Sequence, residues 1–169
     1  LRCKFNIILE IIFKIVHLSS SKNEKIMNTI YDKASNEAMI ARINQLTADS
    51  QPLWGKMTVD QMMHHCKIAI DVAFGKQDLK INFLMKLLGK MLKKKVFYGG
   101  EMGKNSPTAK EFIITEHFDL EKVKAELTAN LSRFANEGKS IITTMEHPFW
   151  GKMTYEDWDA LVWKHTDHH

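Results

Sequence analysis

Cysteine is scarce in this chain: only Cys3 and Cys66 occur among 169 residues. Two thiols cannot build a disulfide framework, so a small cross-linked secreted scaffold is excluded, and a reducing cytoplasm is the simpler expectation. Long apolar runs are missing too. The most apolar stretch, Phe5 to Leu18, is interrupted by Glu10 and Lys14. It is too short and too charged to span a bilayer, and it lacks the small-residue cleavage site of a signal peptide. Strong charge of one sign is also absent. The formal net charge of +4 is mild and dispersed. It is compatible with an acidic small molecule or a membrane surface, and it does not argue for nucleic acid.

What remains is the composition of a globular protein, 44% hydrophobic and 26% charged, with length enough for one domain. Ten methionines sit mostly among apolar neighbours and read as flexible core filler. The first of them is Met27. Residues 1–26 read as a non-native or disordered extension ahead of a natural start near Met27, although Asn6, Glu10, Lys14 and His17 form a polar stripe at helical spacing. At the other end a helical pattern runs into His169 with no cap, glycine or polar tail. The domain, residues 27–169, is therefore expected to be truncated within its last helix.

Apolar periodicity predicts a first helix from about Thr29 to Thr47, broken by Ser50-Gln51-Pro52. A second starts at Thr58, with Gln61 completing a capping box, and runs to about Phe74 before Gly75. A basic amphipathic stretch follows from Ile81 to Lys95. It reads first as a helix laid across the body with solvated lysines, and second as a lid or membrane-contact helix. A further helix opens at Asp119, with Val123, Leu127, Leu131 and Phe134 on one face, and the last begins near Thr154. One repeat stands out: Pro52-Leu53-Trp54-Gly55-Lys56-Met57-Thr58-Val59-Asp60 recurs as Pro148-Phe149-Trp150-Gly151-Lys152-Met153-Thr154-Tyr155-Glu156. Each copy leads through a threonine cap into a helix whose first turn carries an acid, which suits the helix dipole. Both tryptophans read as structural plugs under a helix start.

Helical projection, at about 100° per residue, separates the histidines. His65 lies at the edge of the apolar face formed by Val59, Met62, Met63, Cys66, Ala69, Ile70 and Ala73, whereas His64 points away from it and should be solvated. In the last helix Tyr155, Trp158, Leu161 and Val162 define the buried face. His165 and His169 fall near its middle, one turn apart, with His168 to one side. Two stacked imidazoles on an apolar face form a chelating pair, and unpaired they would cost on the order of 1–3 kcal/mol each. A surface pair or a hydrogen-bonded core histidine is the competing explanation. An inward-facing His65 from another helix brings a metal level with that explanation: three neutral nitrogens suit a divalent ion such as zinc, nickel or iron. They also leave a position open, as catalytic sites do.

The string Trp54-Gly55-Lys56-Met57-Thr58-Val59-Asp60-Gln61-Met62-Met63-His64-His65-Cys66 resembles the second-helix signature of a DinB-related family of unknown function. His147-Pro148-Phe149-Trp150-Gly151, followed by His165-Thr166-Asp167-His168-His169, resembles its fourth-helix signature, although the Arg-Gln turn that usually follows is absent. The resemblance to the DinB/YfiT-like superfamily implies an all-α fold. It would be a four-helix bundle, up-down-down-up, here with an extra amphipathic helix between the second and third. It also implies His65, His165 and His169 as metal ligands. Relatives in that superfamily include metal-dependent thiol transferases and hydrolases, so a small-molecule substrate, such as a low-molecular-weight thiol, is implied by analogy of fold.

No general base stands out, and the catalytic residues are unassigned. Glu146, Asp167 and His168 lie near the motifs, with Asp167 facing outward; Cys66 reads as a core thiol, and His147 reads first as a polar cap beside Pro148 and second as a residue that supports the ligands or touches substrate. The competing function is a non-catalytic metal-binding or dimerising helical module. The expected setting is cytoplasmic, with a homodimer allowed, no nucleic-acid partner and membrane association in third place.

Overall fold

The computed structural model describes residues 28–104 and 108–169. The proposed extension at residues 1–26 lies outside the described residues. The architecture is all-α with a trace of strand: α1 (Lys33–Asn44), α2 (Val59–Ala73), α3 (Phe83–Tyr98), α4 (Leu120–Glu137), β1 (Glu146–His147), β2 (Gly151–Lys152) and α5 (Tyr155–His168). Single 3-10 turns cover Lys110–Phe112 and Gly138–Ile141. The five predicted helices are all present, with ends shifted by a few residues.

The largest shift is at α1, which begins at Lys33 rather than near Thr29. Asp32 caps it by accepting from the Ser35 amide at 2.8 Å. The preceding residues are drawn elsewhere: Thr29 Oγ1 and the Ile30 amide donate to the carboxylate of Asp159 on α5, at 2.6 and 2.8 Å. These two bonds tie the segment ahead of the Asp32 cap to α5.

The core lies where α4 packs against both α1 and α2. Val123, Leu127, Leu131 and Phe134, the predicted face of α4, are all buried there with Met39, Ile43, Met63 and Ile70. One polar side chain is sealed in with them. Buried Asn36 donates through Nδ2 to the carbonyls of Ile30 (2.7 Å) and Leu131 (2.8 Å), so both amide hydrogens are satisfied while tying α1 to α4. α2 is covered more completely than one face predicts; Ile68, Asp71 and Val72 are buried as well. α5 contacts α2 on one side and α3 on the other.

The repeat builds two equivalent helix entrances. Gly55 and Gly151 both take left-handed backbone angles, φ +83° and +72°, which favour glycine. In each copy the residue at the third helical position accepts from the cap amide: Gln61 Oε1 from Thr58 at 3.0 Å, and Asp157 Oδ2 from Thr154 at 2.9 Å. Only the second copy adds the hairpin, with Glu146 opposite Lys152 and His147 opposite Gly151. Buried His147 closes it. Its Nδ1 accepts from the Phe149 and Trp150 amides at 3.0 and 3.3 Å, which bears out the polar-cap reading.

α3 meets this hairpin through Gly89. A Cβ on Gly89 would sit 2.1 Å from the Phe149 carbonyl oxygen, so only glycine permits the approach. Gly89→Ala is expected to destabilise the fold by about 1–3 kcal/mol, seen as a lower thermal midpoint. A second expectation concerns acid. Burial pushes His147 down to about 3. The unfolded chain binds its proton near its ordinary value of about 6.5 and the folded chain only near 3, so this contribution is intact above about 6.5 and lost as pH falls toward 3. His147→Asn keeps an acceptor near the Nδ1 position without the titration. Its thermal midpoint should decline less steeply than that of the parent protein between pH 6.5 and 4, and an unchanged slope would rule this account out.

Candidate metal centre

Two helices bring three imidazoles together. His65 projects from the middle of α2, and His165 and His169 stand one turn apart at the end of α5. Their ring centroids form a nearly equilateral triangle, with sides of 4.9, 4.7 and 4.8 Å. One ligand nitrogen from each ring lies within 4.8 Å of the other two. His65 Nε2 and His165 Nε2 are only 3.0 Å apart. No Asp, Glu or Cys joins this cluster among the described residues.

Hydrogen bonding sets the state of His65. Its Nδ1 lies 3.0 Å from the carbonyl oxygen of Phe112. A carbonyl only accepts, so Nδ1 carries the proton and Nε2 turns a lone pair toward His165. That close approach is satisfied either by a proton on His165 Nε2 or by a cation that takes both lone pairs. A backbone carbonyl on the far ring nitrogen is also the usual way to orient a metal-binding imidazole and raise its basicity.

Burial keeps the three rings neutral near pH 7. Desolvation lowers His65, and the Phe112 carbonyl offsets part of that. Desolvation carries His165 well below its ordinary value, with His65 and His169 adding to the effect. It brings His169 down to about 3, with help from His65 and His168. Neutral imidazole is the form that binds a metal. Metal–nitrogen distances near 2.0–2.1 Å in a tetrahedral set separate ligand nitrogens by roughly 3.3 Å. The observed 3.0 Å pair lies close to that, and the widest separation of 4.8 Å calls only for a small side-chain rotation. The donor set and spacing fit a divalent ion.

The other histidines divide differently from expectation. His64 does point away from the triad, but it is not solvated as the helical projection predicts. Its ring stacks on Phe118, with centroids 3.9 Å apart and planes 8° from parallel, and its Nδ1 is buried without a hydrogen-bond partner. The cause is the segment before α4, which folds over the start of α2. Buried Asp60 accepts there from the Phe118 amide at 2.9 Å, and Gln61 Nε2 donates to the Glu116 carbonyl at 3.3 Å. His168 lies beside the triad, its ring 4.3 Å from that of Trp54.

Trp54 is the second correction. Trp150 packs against the core and Phe97, as a structural plug should. Its counterpart Trp54 instead covers the end of α5, contacting both His168 and His169, the latter at 5.3 Å. Trp54 and Phe112 therefore complete the site, and sequence reasoning assigned neither to it. Phe112 contributes its carbonyl, which leaves no sequence signature, and its ring packs edge-on against His65 at 5.7 Å.

Other assignments hold. Cys66 is buried, and burial pushes its thiol up to about 12, as expected of a core thiol. Asp167 faces outward and pairs with Arg42 at 2.6 Å. Glu146 is exposed on β1. A separate concavity of about 430 Å³ opens at the α2 entrance between Pro52, Thr58, Asp60 and His117. It shares no lining residue with the triad, and its one carboxylate is already engaged by Phe118 and His117.

The family model described as "Protein of unknown function (DUF1569)" matches residues 27–169. No curated protein and no solved structure matches the chain. The match spans most of the sequence and includes both helix entrances and all three histidines of the cluster, so the chain belongs to the DUF1569 family of proteins of unknown function.

Proposed function

We propose that this protein is a metal-dependent enzyme of the DinB/YfiT-like superfamily. In this reading α1, α2, α4 and α5 make an up-down-down-up bundle to which α3 is added. His65, His165 and His169 hold one divalent ion, zinc, nickel or iron. The single observation that carries the reading is the convergence of three neutral imidazoles from two helices, His65 buried and His165 and His169 partly so, with His65 oriented by a carbonyl on its far nitrogen. The two sequence strings that resemble the superfamily's signatures supply the same residues by a separate route.

His65, His165 and His169 would hold the ion, and when bound it would supply Lewis-acid activation of a thiol or water as a nucleophile at neutral pH. The chain's own part is to fix the ligands. The Phe112 carbonyl holds the His65 tautomer, and Trp54 packs beside His169. With no carboxylate in the cluster among the described residues, a reaction that needs little proton shuttling from the protein fits best. Transfer of a low-molecular-weight thiol to an electrophile is of that kind; hydrolysis is the second candidate.

Elemental analysis of the full chain, purified without a histidine tag, tests the site. One equivalent of a divalent metal is expected, lost in His65→Ala and kept in His64→Ala. Full occupancy in His65→Ala would sink the assignment. Trp54→Ala should weaken metal binding by about 10–100-fold through loss of ligand orientation, measured by competition with a chromogenic chelator. Turnover of thiol and electrophile pairs then separates enzyme from binding module: stoichiometric metal with no turnover across thiol and hydrolytic substrates would favour the non-catalytic alternative.

A further inference from the structure

α3 is amphipathic the wrong way round. It meets the rest of the protein through Gly89, Phe97, Val96 and Lys93, and turns most of its other large apolar side chains outward. Phe83 is 83% exposed, Leu84 and Met91 72% each, and Leu87 and Leu88 more than two fifths. At 100° per residue these five form one continuous arc over the N-terminal two and a half turns. Solitary exposed leucines need no explanation, but a contiguous patch of several large residues marks an interaction surface.

The charge around the patch selects the occupant. Between Lys80 and Gly100 there are six lysines and no Asp or Glu. Lys93 is spent on Asp157 at 2.6 Å. Lys80, Lys86, Lys90, Lys94 and Lys95 remain exposed without an ion-pair partner among the described residues. Lys94 and Lys95 project onto the same arc one turn beyond Met91. A second copy laid on this face would set lysines against lysines with no acid to pair them. Residues 1–26 carry Arg2, Lys4, Lys14, Lys22 and Lys25 against Glu10 and Glu24, so they share its sign. No helix among the described residues is long and apolar enough to cross a membrane. An anionic lipid surface answers both halves of the pattern. The apolar arc enters the acyl boundary while the lysines reach lipid phosphates.

We infer that α3 docks this protein in-plane on anionic membrane surfaces, with Phe83, Leu84, Leu87 and Met91 inserted and Lys94 and Lys95 at the headgroups. This goes beyond the metal-site reading and does not depend on it. It raises the membrane-contact role that the sequence alone placed second for this stretch.

Co-sedimentation of the full chain with vesicles of phosphatidylcholine, alone or mixed with phosphatidylglycerol, tests it. Binding should be selective for the anionic vesicles and weaken as salt is raised. The double variant Leu84→Glu/Met91→Glu alters only exposed positions and should keep its helical circular dichroism while losing at least about tenfold in binding. Lys94→Glu/Lys95→Glu should lose at least about fivefold per site. Equal binding to neutral vesicles, or none to anionic ones, overturns the inference. So does full binding by Leu84→Glu/Met91→Glu, which would move the contact to another segment such as Phe5 to Leu18. A dimer by light scattering that this variant converts to monomer would assign the face to a second copy instead.

Discussion

The placement of α5 governs the rest of this structure, because α5 carries two of the three clustered histidines and must present them at one rotation. Its first turn is gripped by carboxylates. Asp157 receives Lys93 at 2.6 Å and the Tyr98 hydroxyl at 2.6 Å. Burial alone would raise Asp157, but these partners outweigh it and hold the carboxyl below its usual range. Asp159 receives Thr29 and Ile30 from the opposite side. Between those two carboxylates in sequence, Trp158 Nε1 donates to the Thr144 carbonyl at 3.0 Å. Nearer the end, Lys164 Nζ lies 2.8–3.3 Å from the carbonyls of Val96, Gly99 and Gly100, where a cation suits the C-terminal end of the α3 dipole. A helix clasped on so many sides cannot rotate, and each 100° of rotation would exchange His165 for a neighbour. Lys93 and Asp157 form a partly enclosed pair, so removing either partner would leave a charge unpaired at the α3–α5 contact and loosen that register.

The repeat shows how one local solution serves two tertiary purposes. Both copies use a left-handed glycine, a threonine cap and a side chain that reaches back to the cap amide. Gln61 and Asp157 occupy the same place in that device. The carboxylate at 157 can also hold Lys93, whereas the amide at 61 turns to the Glu116 carbonyl. The two tryptophans diverge further. A hairpin closed by His147 folds Trp150 back on the core, and the first copy, without a hairpin, sends Trp54 across to the histidines. The same device thus anchors the body at one end and encloses the candidate site at the other.

Much of this was legible in the residues alone. Five helices, the Gly75 stop and the all-α class follow from apolar period and capping chemistry, which act over a few residues. So does the choice of His65 over His64, because helical projection needs only the identity of the near neighbours. The inward reading of His165 and His169 has the same basis. Local rules failed where partners come from far along the chain. The cover that Phe118 lays over His64, the carbonyl of Phe112 on His65 and the ring of Trp54 on His169 are 47 to 115 positions from what they touch. The residues before α1 are likewise held from afar, by Asp159, 129 and 130 positions on.

The sequence by itself therefore determined which segments are helical, how each begins, and which histidines point inward, because hydrophobic period, glycine backbone freedom and cap chemistry are properties of neighbouring residues. The tertiary structure alone decided that three imidazoles from α2 and α5 meet within 4.8 Å, that a backbone carbonyl fixes one of them, and that α3 turns its apolar arc outward. Those outcomes depend on packing between segments distant in the chain, where a contact as small as Gly89 against the Phe149 carbonyl determines which face of a helix is covered.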